Sequence, residues 1–117
     1  MTENRPKEER IEKILNAAID VFLITGYDGT SMNAIAKKAG LTKGGLYHHF
    51  SSKEEILIYV NGKFMEPVYQ MMETAISFYS AERALSFFIR ESLNHWANNP
   101  DQLKIIFLTL AKILASP

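Results

Sequence analysis

Ile11, Ile14, Leu15, Ala18, Ile19, Phe22 and Leu23 recur at intervals of three and four, which predicts an amphipathic helix with a single apolar stripe. Gly26 is placed to end it. After the Tyr27-Asp28-Gly29 turn, Thr30 or Ser31 can cap a second helix that turns Met32, Ile35, Ala36 and Ala39 inward, and Gly40 closes that helix as well. Thr42 can cap a third, short helix whose Leu46 and Phe50 point back at the first two. Ser52-Lys53-Glu54-Glu55 fits a capping box in which Glu55 reaches back to the Ser52 N–H, opening a fourth helix with Ile56, Leu57, Val60 and Phe64 inside.

Pro67 interrupts that pattern, so a separate helix is expected to carry Val68, Met71, Met72, Ala75, Ile76 and Tyr79. Ser80 can cap the next one, with Leu85, Phe88, Ile89, Leu93 and Trp96 inside. The last start reads as an Asn99 cap, Pro100 at the first helical position and Asp101 in the first turn. Its stripe is Leu103, Ile106, Phe107, Leu110, Ile113 and Leu114. β-alternation of useful length is absent from the sequence, and the expected fold class is all-α.

Composition bounds the partners. At 117 residues and 47% hydrophobic, the chain fits one compact domain or two small helical units sharing an apolar seam. The sequence has no cysteine, which rules out disulfides, thiolate metal sites and cysteine nucleophiles and suits a reducing compartment. No apolar run approaches the roughly 18 residues of a membrane span, and the opening MTENRPKEER is charged where a secretory signal would turn apolar. A soluble cytoplasmic protein without membrane contact is expected.

Thirteen basic and thirteen acidic residues balance overall, but their distribution is uneven. Residues 30–53 hold Lys37, Lys38, Lys43 and Lys53 and no acid, while the segments on either side are net negative. A polyanion would be drawn to that one segment; a solvated surface accounts for such a run equally well. Within it lies GLTKGGLYHHF, residues 40–50. Two adjacent glycines cost a helix about 1 kcal/mol each relative to alanine, so a reason other than folding is needed for Gly44 and Gly45. Helix, tight glycine turn and second helix is the arrangement that sets a recognition helix into a major groove about 12 Å wide. Glycines at its first turn give clearance against the phosphate walls. Thr42 and Lys43 then reach phosphate or base edges, and Tyr47 and His48 donate from the side opposite Leu46 and Phe50. Thr30 and Ser31 offer hydroxyls at the start of the second helix, Lys37 and Lys38 lie on its outer side, and Lys53 adds charge at the groove edge.

The stretch GYDGTSMNAIAKKAGLTKGGLYHHFSSKEEIL resembles the N-terminal helix-turn-helix of the tetracycline-repressor (TetR) family of transcriptional regulators. The likeness runs from Ile11 to about Val60. It implies a homodimeric DNA-binding regulator, usually a repressor, with a C-terminal helical region that binds a small-molecule effector and pairs two subunits. Carried over residue by residue, the DNA contacts fall on Thr30, Ser31, Lys37, Thr42, Lys43, Gly44, Gly45, Tyr47, His48 and Lys53. The implied organisation is a helix-turn-helix domain over residues 1–53 and a regulatory region over 54–117. Family members extend further, so that region is expected to be incomplete, with the usual dimer helices falling beyond Pro117.

Other chemistries fit the sequence poorly. His48 and His49 point about 100° apart on a helix, zinc needs three or four converging ligands, and no metal or cofactor is expected. Glu8/Glu9 and Glu54/Glu55 sit where helix starts attract acids for dipole reasons, so catalysis is not expected. Met71, Phe88 and Trp96 are the candidate effector contacts, although an aromatic stripe at helical spacing also serves as plain core. His95 is expected to be a satisfied partner. Arg5, Lys7 and Arg10 fit either an N-terminal arm or a solvated helix start. The rival reading from another class is a helical ligand- or protein-interaction module whose helix-turn-helix is only scaffold. Salt separates the two, since four phosphates neutralised per subunit give a slope of log K against log[salt] of roughly −7 for a dimer.

Overall fold

The computed structural model describes residues 5–115, which form α1 (Arg5–Thr25), α2 (Met32–Ala39), α3 (Lys43–Tyr47), α4 (Lys53–Phe78), α5 (Ala81–Asn98) and α6 (Pro100–Ala115). Two compact units divide between Val60 and Asn61, inside α4. Among the described residues no helix is long and apolar enough to cross a membrane.

The first unit is built on α1. Its buried residues are Ile14, Leu15, Ala17, Ala18, Val21 and Phe22, whereas Ile11, Ile19 and Leu23 are half-buried, so the stripe is centred slightly to one side of the expected line. Ile35 and Ala36 of α2, Leu46 of α3, Phe50, and Ile56, Leu57 and Val60 of α4 complete this core. Gly26 ends α1 with φ 80°, and its N–H bonds the Phe22 carbonyl at 3.0 Å. Gly29 is required for space: a Cβ there would lie 2.8 Å from the Thr25 carbonyl oxygen. Tyr27 folds under this turn with its ring 5.2 Å from that of Phe22.

Ser31 caps α2 and Thr42 caps α3, each hydroxyl accepting the N–H three residues on, from Ala34 at 3.1 Å and Gly45 at 3.0 Å. Between them Gly40 takes φ 72°, and the Leu41 N–H reaches the Ala36 carbonyl at 2.9 Å, closing α2 with a left-handed turn. At α4 the Ser52 hydroxyl accepts the Glu55 N–H, but the Glu55 carboxylate reaches one residue further back than expected, to the N–H and hydroxyl of Ser51. Those bonds hold the Glu55 carboxyl below its usual range.

Pro67 does not start a new helix: α4 runs through it. A proline inside a helix costs about 3 kcal/mol. Here the apolar series Phe64, Val68, Met71 and Ala75 stays in helical phase across it, so a single helix keeps these residues on one face.

In the second unit Val68, Ala75 and Ile105 are buried, and the Asn61 side-chain amide donates to the Thr109 hydroxyl. The stripes expected inside α5 and α6 are largely exposed: Leu85, Ile89 and Leu93, and Phe107, Leu110, Ile113 and Leu114. Periodicity marks which face is apolar, while burial needs a covering surface, and three helices of this size enclose too little interior for three full stripes. Ser80 occupies the position before α5 without a side-chain cap bond. The Asn99 side-chain amide N–H turns back to the His95 carbonyl at 2.8 Å, while the Asn99 backbone carbonyl accepts the Leu103 N–H at 3.3 Å and opens α6, so the residue serves both helix ends.

Candidate nucleic-acid interface

Gly40, Leu41 and Thr42 connect α2 to α3 as a tight turn. Leu46 and Phe50, 0% and 3% exposed, anchor the short helix inward, which leaves Lys43, Gly44, Tyr47 and His48 on its exposed side. Lys43 and Tyr47 are one turn apart, as are Gly44 and His48, so the four residues share a surface. A recess of about 380 Å³ between α2 and α3 is lined by Asn33, Ala34, Ala36, Lys37, Leu41 and Lys43. It joins the outer side of α2 to the first turn of α3. Lys38 is exposed as well.

The capping hydroxyls of Ser31 and Thr42 are exposed and accept one N–H each, so each keeps its own proton to donate to an anion. The twin glycines have different roles. A Cβ on Gly44 would meet nothing within 4 Å, whereas one on Gly45 would lie 3.1 Å from Thr42 Oγ1 and 3.8 Å from the Leu41 Cβ. Gly45 therefore makes room for the cap, and Gly44 leaves open space outside.

Two expected contact residues are placed differently. Thr30 is 5% exposed, and its hydroxyl donates to the Gly26 carbonyl at 2.6 Å beside the Thr25 hydroxyl at 3.1 Å, so that side chain supports the turn. Lys53 is half-buried, with Nζ 2.8 Å from the Tyr27 carbonyl, 3.2 Å from that of Thr30 and 3.3 Å from that of Asp28. A lysine ammonium has three protons, and these three acceptors use them all. Charge counting along the chain could not distinguish this lysine from Lys37, Lys38 and Lys43. Conversely, sequence reasoning passed over Asn33, whose signal was a position four residues before Lys37 on the same face of α2.

His48 and His49 meet edge to face at 5.1 Å. Burial first, then the charges of His48, Arg10 and Lys7, lower the His49 pKa. Lys7 and Arg10 are exposed within α1, which matches a solvated helix start. Among the described residues no three His, Cys, Asp or Glu side chains gather to hold a metal.

In the second unit Ser92 Oγ lies 3.9 Å from Met71 Sδ. Phe88 and Trp96 flank Ser92 one turn to either side, so α5 brings all three candidate effector residues, each half-buried, to one neighbourhood. His95 departs from expectation: Nε2 is shielded and has no hydrogen-bond partner among the described residues, while the ring lies 4.7 Å from that of Trp96.

A capped helix, a glycine turn and a lysine-headed second helix over a shared core define a helix-turn-helix protein of the DNA-binding class. Residues 14–60 match the family described as bacterial regulatory proteins, tetR family. The HTH-type transcriptional regulator YxaF of Bacillus subtilis, itself uncharacterized, is 35% identical over 91 residues, covering 74% of this chain and 47% of YxaF. The HTH-type transcriptional activator FasR of Mycolicibacterium smegmatis is 46% identical over 55 residues, covering 47% of this chain and 25% of FasR. The crystal structure of the TetR-family regulator PfmR from Thermus thermophilus superposes with a TM-score of 0.67 at 32% identity, covering 84% of this chain and 51% of PfmR. This chain belongs to the tetR family of bacterial regulatory proteins. It spans about half the length, or less, of these relatives.

Proposed function

We propose that the protein is a cytoplasmic, effector-responsive transcriptional repressor that binds a palindromic operator as a homodimer, placing one α3 in each of two successive major grooves roughly 34–36 Å apart. One observation carries this reading: Ser31, Lys37, Thr42, Lys43, Gly44, Tyr47 and His48 are all exposed on an acid-free segment whose apolar residues are held inside. Three exposed lysines, Lys37, Lys38 and Lys43, supply the phosphate-neutralising charge of each subunit. The effector is an apolar or aromatic small molecule contacted by Met71, Phe88 and Trp96, and it acts by favouring the state with lower operator affinity. No catalytic step belongs to this function.

Selection of bound fragments from genomic DNA, followed by fluorescence anisotropy on the recovered site at several salt concentrations, tests the proposal. Three phosphates per subunit give a slope of log K against log[salt] of roughly −5 for two subunits. A flat response, or no enriched fragment, would overturn it. Sizing the protein alone and on the site reads the dimer directly.

A further inference from the structure

The first turn of α4 grips the α1–α2 turn at several points. The Lys53 ammonium binds the carbonyls of Tyr27, Asp28 and Thr30 at 2.8, 3.3 and 3.2 Å and sits 4.5 Å from the centroid of the Tyr27 ring. Next to it, the Tyr27 phenol donates a hydrogen bond to the Glu54 carboxylate. A helix seated only by apolar contact can slide. An ammonium held by three carbonyls fixes the direction of three peptide groups at once. The last of these, the Thr30 carbonyl, belongs to the peptide that enters Ser31, the cap of α2.

We propose that Lys53 is a positioning residue for DNA binding: its ammonium locks the entry of α2, and through it the Ser31 hydroxyl, to the start of α4, and it neutralises no phosphate itself. The proposal rests on the DNA-binding reading above for its consequence, though the lock itself is a property of the protein without DNA. Any rotation at the head of α4 pulls on the peptide leading into α2.

The test uses two variants of the 117-residue chain. Lys53→Met keeps a stem over Tyr27 and removes every donor, whereas Lys53→Arg keeps the charge and replaces a tripod of donors with a planar fork. Without DNA, amide hydrogen exchange should accelerate at least tenfold at Ala34, whose N–H bonds the Ser31 hydroxyl, in both variants. Exchange at Gly45, capped by Thr42, should stay unchanged and serve as the folding control. Equal protection of Ala34 in both variants and the parent, or acceleration spread evenly over Ala34 and Gly45, would overturn the lock. On the selected operator both variants should bind about tenfold more weakly with the parent's salt slope. A Lys53→Met slope shallower by roughly 0.9 per subunit would mean that Lys53 faces a phosphate, and overturn the proposal. Absence of operator binding by the parent would instead refute the functional reading, leaving the exchange result to decide the lock.

Discussion

Gly44→Ala should make the protein more stable and worse at binding DNA. The backbone at Gly44 lies within α3 without a positive φ, the residue is exposed, and an added Cβ meets nothing within 4 Å. Under those conditions alanine gains about 0.5–1 kcal/mol by restricting the unfolded chain. For a small domain that raises the melting temperature by roughly 4–8 °C per kcal/mol. Against DNA the sign reverses. A methyl group forced into a close contact costs about 1–3 kcal/mol, which is roughly a 5- to 150-fold loss of affinity. Thermal unfolding followed by circular dichroism gives the first number and operator anisotropy the second. Gly45→Ala is the matched control: its Cβ would stand 3.1 Å from Thr42 Oγ1, so the cap must shift. A cap is worth about 1 kcal/mol in full, so weakening it offsets part or all of the propensity gain, and Gly45→Ala should melt below Gly44→Ala. If Gly44→Ala melts higher yet binds the operator as the parent does, no close approach occurs at that position.

Phe50→Ala, which empties a site 3% exposed with its ring 5.5 Å from that of Tyr59, should cost about 3–5 kcal/mol in chemical denaturation. Lys43→Ala and Tyr47→Ala should instead unfold like the parent and weaken operator binding by about 1–3 kcal/mol each in anisotropy titrations. Thr30→Val removes the hydroxyl that donates to the Gly26 carbonyl and should lower unfolding free energy by about 1–3 kcal/mol without altering the salt slope of binding. His49 has a pKa below its ordinary 6.5, so the unfolded chain binds the proton more readily. Its stabilising contribution is complete above pH 6.5 and is lost as the pH falls through the lower folded value, so the melting temperature should drop on acidification and His49→Gln should flatten that drop.

The helix-turn-helix was legible because every local signal in it agrees. Gly26 and Gly40 end helices, Ser31 and Thr42 cap them, and Leu46 with Phe50 sets the inward face of a helix too short to show periodicity by itself. Each of these devices acts within about four residues, and four residues of sequence are enough to see it. The second unit depends on what surrounds it. Leu85, Ile89 and Leu93 have the spacing of a core stripe and stand exposed, because spacing records which face is apolar and says nothing of which surface covers it. Pro67 misled for a related reason: its local cost was visible, while the stripe that carries α4 across it shows only over several turns.

Lys53 shows where charge counting stops being informative. Four lysines in an acid-free segment read as four equivalent cations, and a sequence holds no record of which ammonium finds carbonyl groups within reach. The carbonyls that bind Lys53 lie 23 to 26 residues away, supplied by a turn whose shape depends on Gly26, Gly29 and Tyr27. On the proposed reading, electrostatic attraction to DNA rests on the exposed Lys37, Lys38 and Lys43, and the fourth positive charge serves the geometry of the site. Removing that charge should therefore disturb where α2 begins before it changes how strongly a phosphate is attracted, which is the reverse of the order expected for the other three lysines.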